Sequence, residues 1–168
     1  KDGIPANCAQ IASMDSYPSN MKLSPNFTLG MVSSNAAVSS ATVRDQNGLS
    51  SAEIVCNLQY VCLNVLEEVK KRYPNVFVTS GFRYPGDNPK SQHPMGQAVD
   101  LQFRGATKSQ YYEIAKILAT ELPIYDQLLL EYAVTTKSPW IHISCNRSGN
   151  RRNVMTFFNH KKYKDGLV

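Results

Sequence analysis

The chain has no C-x-x-C cysteine pair, no apolar run near the length of a membrane span, no internal repeat and no block of five like charges. Each absence excludes something. Cys8, Cys56, Cys62 and Cys145 follow no zinc-ribbon spacing, so a thiolate metal site of the finger kind is excluded. On one helix Cys56 and Cys62 would point about 240° apart and cannot pair with each other. The thiols therefore read as free and buried, which favours a reducing site of synthesis. The longest apolar runs, such as the leucines at 128–130, fall far short of the roughly 20 residues that span a bilayer. No membrane partner is expected.

What is present suits one domain. At 168 residues and 18.7 kDa a chain buries roughly two-thirds of its unfolded surface, and a hydrophobic share of 42% with 18% charged residues is ordinary for a globular protein. The first residues lack the apolar core of a signal peptide and the chain opens on Lys1, so it reads as a fragment or processed product of something longer. A formal charge of +5 and a pI near 9.0 favour approach to an anionic polymer, either nucleic acid or a bacterial wall. Arg147, Arg151, Arg152, Lys161, Lys162 and Lys164 gather near the C-terminus, but no base-stacking pattern or finger spacing accompanies them. They read as a solvated basic edge, and nucleic acid is not an expected partner.

Residues 1–24 carry Pro5 and Pro18 among Ser and Asn, show no periodicity and read as an irregular arm, dispensable for metal binding; the domain proper takes 25–168. Phe27, Leu29 and Met31 alternate with small or polar residues and predict a short strand, with 33–49 as a loop. Ser50-Ser-Ala-Glu53 has capping-box spacing and opens a helix with Ile54, Leu58, Val61, Cys62, Val65 and Val69 on one face, stopped by Pro74. Residues 76–79 predict a strand, 81–97 a long proline-bearing loop, and Val99, Leu101 and Phe103 a second strand. A loop of that length in a compact domain needs a purpose. A second helix is predicted over 107–122, capped by Thr107 and Gln110 with Ile114, Ala115, Leu118 and Leu122 inward. Strands at 125–132 and 140–144 then flank Pro139. The order implies an α+β fold, a small, mostly antiparallel sheet packed against helices.

The long loop ends in Ser91-Gln-His-Pro-Met-Gly-Gln-Ala-Val-Asp100. Turn chemistry gives no reason to place His93 seven residues ahead of Asp100, whereas a metal site does. Zinc accepts imidazole nitrogen and carboxylate oxygen, and a catalytic site supplies three protein ligands with one position open. Side chains alternate along a strand. If Val99, Leu101 and Phe103 face the core, Asp100 faces the other way; by the same parity Ile141 and Ile143 put Trp140, His142 and Ser144 on that opposite face. In the partner strand Leu128 and Leu130 match the isoleucines, which leaves Gln127, Leu129 and Glu131 beside His142. The expected ligands are His93, Asp100 and His142, with one zinc per chain and Glu131 as neighbour.

The pattern Ser91-x-His93-x-x-Gly96-x-Ala98-x-Asp100, followed by Trp140-x-His142, resembles the zinc D-Ala-D-Ala carboxypeptidase and L-alanyl-D-glutamate endopeptidase family, which has the hedgehog/DD-peptidase fold. The stretch 23–29, Ser80-Gly-Phe-Arg83, Asp126-Gln-Leu128 and Trp140-Ile-His-Ile-Ser144 are similar to peptidase domains of tailed-phage structural and lysis proteins. The resemblance covers roughly residues 23–145. It implies zinc on His93, Asp100 and His142, and Arg83 gripping substrate or stabilising an oxyanion, with Ser91, Gln92 and Trp140 beside the substrate. The implied activity is hydrolysis of an amide bond in peptidoglycan stem peptides, in a phage virion or at the bacterial wall and periplasm, with other phage structural proteins as further partners. The departure from the family pattern is Pro139, which stands where relatives carry the catalytic Glu or Asp. Either Glu131 supplies the base from the adjacent strand, or the chain is a zinc-stapled, weakly active or inactive structural module that touches the wall.

Overall fold

The computed structural model describes residues 3–33, 48–84, 88, 90–132, 138–158 and 162–168. Its elements are α1 (Cys8–Ala12), β1 (Lys22–Ser24), β2 (Phe27–Thr28), α2 (Leu29–Val32), α3 (Ser51–Val61), α4 (Glu67–Arg72), β3 (Val76–Ser80), β4 (Ala98–Phe103), α5 (Lys108–Glu121), β5 (Gln127–Tyr132), β6 (Trp140–Ser144), β7 (Asn153–Phe158) and β8 (Lys162–Asp165). A π-helical turn, Cys62–Leu66, joins α3 to α4. The fold is mixed α+β. β1 and β2 form a small antiparallel sheet, and a six-stranded mixed sheet runs in the order β3-β4-β6-β5-β7-β8. Its pairings are antiparallel except β5 with β7.

Local chemistry sets the helix starts. Glu53 N–H donates to Ser50 Oγ at 3.2 Å while Ser50 N–H donates to Glu53 Oε1 at 3.1 Å, so each side chain satisfies a backbone donor the helix leaves orphaned. Thr107 and Gln110 do the same for α5. Ile54, Leu58, Val61, Cys62, Val65 and Val69 are all buried, as their spacing predicts. They pack toward the sheet face that carries Val99, Leu101, Leu128, Leu130, Ile141 and Ile143, every one of them fully buried in the same core. The other sheet face is left to the site.

Three expectations need correction. Residues 1–24 are not an irregular arm outside the domain: α1 packs on α3, and Ile11, Tyr17, Met21 and Leu23 lie in the core. Tyr17 Oη donates to the Ile11 carbonyl at 2.8 Å, and the buried Gln59 amide ties α3 to the carbonyls of Pro5 and Leu23. An amphipathic face spread over short elements and turns carries no fixed period, so no pattern announces it. Second, the strand expected through Met31 ends at Thr28, whose hydroxyl accepts from Met31 N–H at 3.4 Å and opens α2. Phe27 and Leu29 are buried and Met31 is exposed. Third, the C-terminal basic stretch is not merely a solvated edge, because β7 and β8 extend the sheet there. Most of the loop expected at 33–49 lies outside the described residues.

No helix among the described residues is long and apolar enough to cross a membrane. The four cysteines are free, as expected, and burial pushes the Cys145 thiol up to about 12, which keeps it protonated and a poor metal ligand.

Candidate metal centre

Register brings the two strand-borne groups together. Asp100 of β4 pairs directly with His142 of β6, and His142 in turn faces Leu129 of β5. Since Val99 and Leu101 are held in the core on one side and Ile141 and Ile143 on the same side, Asp100 and His142 project from the opposite face. His93 reaches them from a single 3-10 turn, His93–Met95, that closes on Gly96 in the left-handed region at φ 72°. A Cβ at Gly96 would come within 2.7 Å of the Ile54 carbonyl, so glycine is required both by conformation and by the close approach of α3.

His93, Asp100 and His142 offer ligand atoms that all lie within 4.8 Å of one another. His93 Nε2 is 3.3 Å and His142 Nδ1 3.0 Å from the same Asp100 oxygen, Oδ1. Ligands about 2.0–2.1 Å from a tetrahedral zinc sit roughly 3.3 Å apart, so these separations fit such an ion with little movement. The other ring nitrogen of His93, Nδ1, is 2.8 Å from the Gly81 carbonyl. A carbonyl can only accept, so Nδ1 carries a proton and Nε2 is the nitrogen that faces Asp100, the outer-shell orientation that metal-binding histidines use. Burial raises the Asp100 pKa, but hydrogen bonds from His142 and His93 and their charge outweigh it and hold the carboxyl well below the usual range. The donor set is thus two imidazoles and an ionised carboxylate, with one side open to a cleft of about 1400 Å³.

The remaining site residues named from the sequence all line that cleft: Arg83, Ser91, Gln92, Glu131 and Trp140. Glu131 pairs with Trp140 across β5 and β6, and Trp140 Nε1 donates to Glu131 Oε2 at 3.0 Å. It does not belong to the ligand group. Burial raises its pKa, against the pull of His142 and, more weakly, of Arg83, so Glu131 feels the charges of both site and rim. Arg83 Nη1 donates to Ser80 Oγ at 2.9 Å, and Gln92 Nε2 donates to Asn146 Oδ1 at 3.0 Å. Ser91 Oγ accepts from His93 N–H at 3.4 Å.

One wall of the cleft has no counterpart in the sequence reading. Asn146, Arg147 and Arg151 from the turn after β6, with Met155 and Phe157 of β7, line it. The parallel register Leu129↔Met155 and Glu131↔Phe157 puts those two apolar side chains on the cleft face. Strand alternation in 153–158 was the available signal, but the buried residue there is a threonine, Thr156, so the stretch does not show an apolar core face.

Comparison with protein-family models, with curated proteins and with solved structures gives no match to this chain. Fold and site define its class by themselves, a mixed α+β protein with a buried two-histidine, one-carboxylate group at the floor of an open cleft.

Proposed function

We propose that this chain is a zinc-dependent peptidase that hydrolyses an amide bond in peptidoglycan stem peptides, with the hedgehog/DD-peptidase fold and a place in a phage virion or at the bacterial wall. The observation that carries the reading is the convergence of His93, Asp100 and His142 at 3.0 and 3.3 Å on the floor of a cleft that also holds Glu131. A bound zinc would supply a nucleophile from water at neutral pH and a Lewis acid for the scissile carbonyl.

The chain's own groups account for the rest of the reaction. Glu131 takes the proton of the attacking water and passes it to the leaving amine, a task that requires about 3 Å between carboxylate and water. Trp140 fixes that carboxylate through its indole N–H. Arg83, anchored on Ser80, meets the charge that develops on the carbonyl oxygen. Met155, Phe157 and Leu129 give the peptide an apolar floor that excludes water from the reacting bond.

A second reading, a zinc-stapled structural module, draws on Pro139 at the position where similar peptidases hold their acid. The two part in one assay. Purified peptidoglycan incubated with zinc-loaded protein should release peptide fragments by mass analysis, and a chelator should stop the release. A fully zinc-loaded chain that releases nothing favours the module.

A further inference from the structure

Three guanidinium groups line the cleft, and they differ in what holds them. Arg151 is spent on Asp126, with Nε to Oδ1 at 3.0 Å and Nη2 to Oδ2 at 2.7 Å. Arg83 donates to Ser80 Oγ and contributes to the field at Glu131. Arg147 follows the C-terminal end of β6 and is held by an amide and a thiol. Its Nε donates to Asn57 Oδ1 at 2.8 Å and its Nη1 to the Cys8 thiol at 3.2 Å. Among the described residues no carboxylate comes within ion-pair distance of Arg147.

This anchoring is rigid where it matters. Asn57 is buried on α3, and its Nδ2 donates to the Met95 carbonyl at 2.8 Å, in the turn that carries His93. The fork of Arg147 is therefore set by the same scaffold as a metal ligand, while the residue itself stays exposed on the cleft wall. An oriented guanidinium with an unneutralised charge and unused donors is suited to a carboxylate or phosphate oxygen pair.

We infer that Arg147 binds a carboxylate of the substrate, so the cleft takes an anionic peptide whose free carboxylate lies apart from the bond at the metal centre. The inference rests on the peptidase reading above. In a stem peptide that carboxylate is either the C-terminal one of D-Ala or the free α-carboxylate of a γ-linked D-Glu. Arg147 is a specificity-determining residue and takes no part in bond breaking.

The test uses the full zinc-loaded chain and the fluorescence of Trp140, the single tryptophan, read by stopped flow before turnover. Three probes are compared: a stem pentapeptide, its C-terminal carboxamide, and the same peptide with the D-Glu α-carboxylate amidated. One of the two amides should bind about 10- to 100-fold more weakly than the acid, the size of a charge-assisted pair, and which one does identifies the carboxylate. Arg147→Gln should abolish that preference with zinc content unchanged, and Arg147→Lys should restore part of it. Equal binding of all three probes by the wild type, or an undiminished preference in Arg147→Gln, overturns the inference. Wall digestion separates the two claims. Release of fragments without a carboxylate preference leaves the peptidase reading standing and the clamp refuted, whereas an Arg147-dependent preference without release does the reverse.

Discussion

On the proposed peptidase reading Glu131 is the residue on which activity turns, because Pro139 leaves no carboxylate at the position where the family that the sequence resembles carries its acid. Its place follows from parity: Leu128 and Leu130 are fully buried on the core face, so Glu131 projects with Leu129 toward His142. A bound dication nearby would draw its raised pKa back down. Glu131→Gln keeps the shape and removes the base, and should leave zinc stoichiometry intact while slowing wall-peptide hydrolysis roughly a hundredfold; unchanged turnover would dismiss Glu131 as the base. This much was legible in the sequence, since two-residue periodicity in β4, β5 and β6 is a local property. Arg147, Asn146 and Arg151 were not, because a turn has no period and their roles depend on contacts with Asn57, Gln92 and Asp126 far away in the chain. Asp126 itself yields a pH prediction. It is buried, and the hydrogen bond from Arg151 lowers its pKa from 3.8 against the effect of burial. A carboxyl whose folded pKa is depressed contributes stability in full above the unfolded value and loses it as pH falls through the folded one. Unfolding free energy should therefore decline as the pH drops below about 4, and Asp126→Asn should flatten that decline in denaturant titrations across the acid range.

Among the elements, the segment between β3 and β4 shows how backbone geometry serves the site. Gly81 places its carbonyl on His93 Nδ1 while Phe82 N–H donates to the Val32 carbonyl at 2.7 Å. A Cβ at Gly81 would sit 2.0 Å from that Val32 oxygen, and the obstacle is backbone rather than a flexible side chain. Gly81→Ala must displace the carbonyl that sets the His93 tautomer, so it should both destabilise the fold by about 2 kcal/mol or more and weaken metal binding about 10- to 100-fold. Thermal melts and a competitive zinc titration check the two effects; a variant with wild-type zinc affinity would show that Gly81 does not orient His93. The helices α3 and α5 could be read from sequence because capping boxes and periodic apolar faces lie within a few residues of each other. The strands β7 and β8 could not. β7 adds to the sheet in parallel beside β5, a pairing between residues about two dozen positions apart, and its one fully buried side chain is Thr156, satisfied by the Gly166 carbonyl at 2.8 Å.

For the whole molecule, the N-terminal segment belongs to the same core as the sheet. Ile11 and Tyr17 are completely buried, and each such side chain contributes about 1.5–3 kcal/mol toward a total stability of about 5–15 kcal/mol. A chain beginning at Met21 should lose cooperative melting, contrary to the dispensable arm the sequence implies; a sharp transition near the full-length Tm would return that arm to the periphery. This one core holds three side chains that could bind a metal, and folding and metal binding are coupled wherever the ligands come from distant parts of the chain. Elemental analysis of the untagged full chain, after zinc supplementation and removal of excess, tests it most directly. One zinc per chain is predicted, falling toward zero with a lowered Tm in His93→Ala, Asp100→Ala and His142→Ala. Well under half an equivalent in the wild type, or undiminished zinc in those variants, would contradict the account.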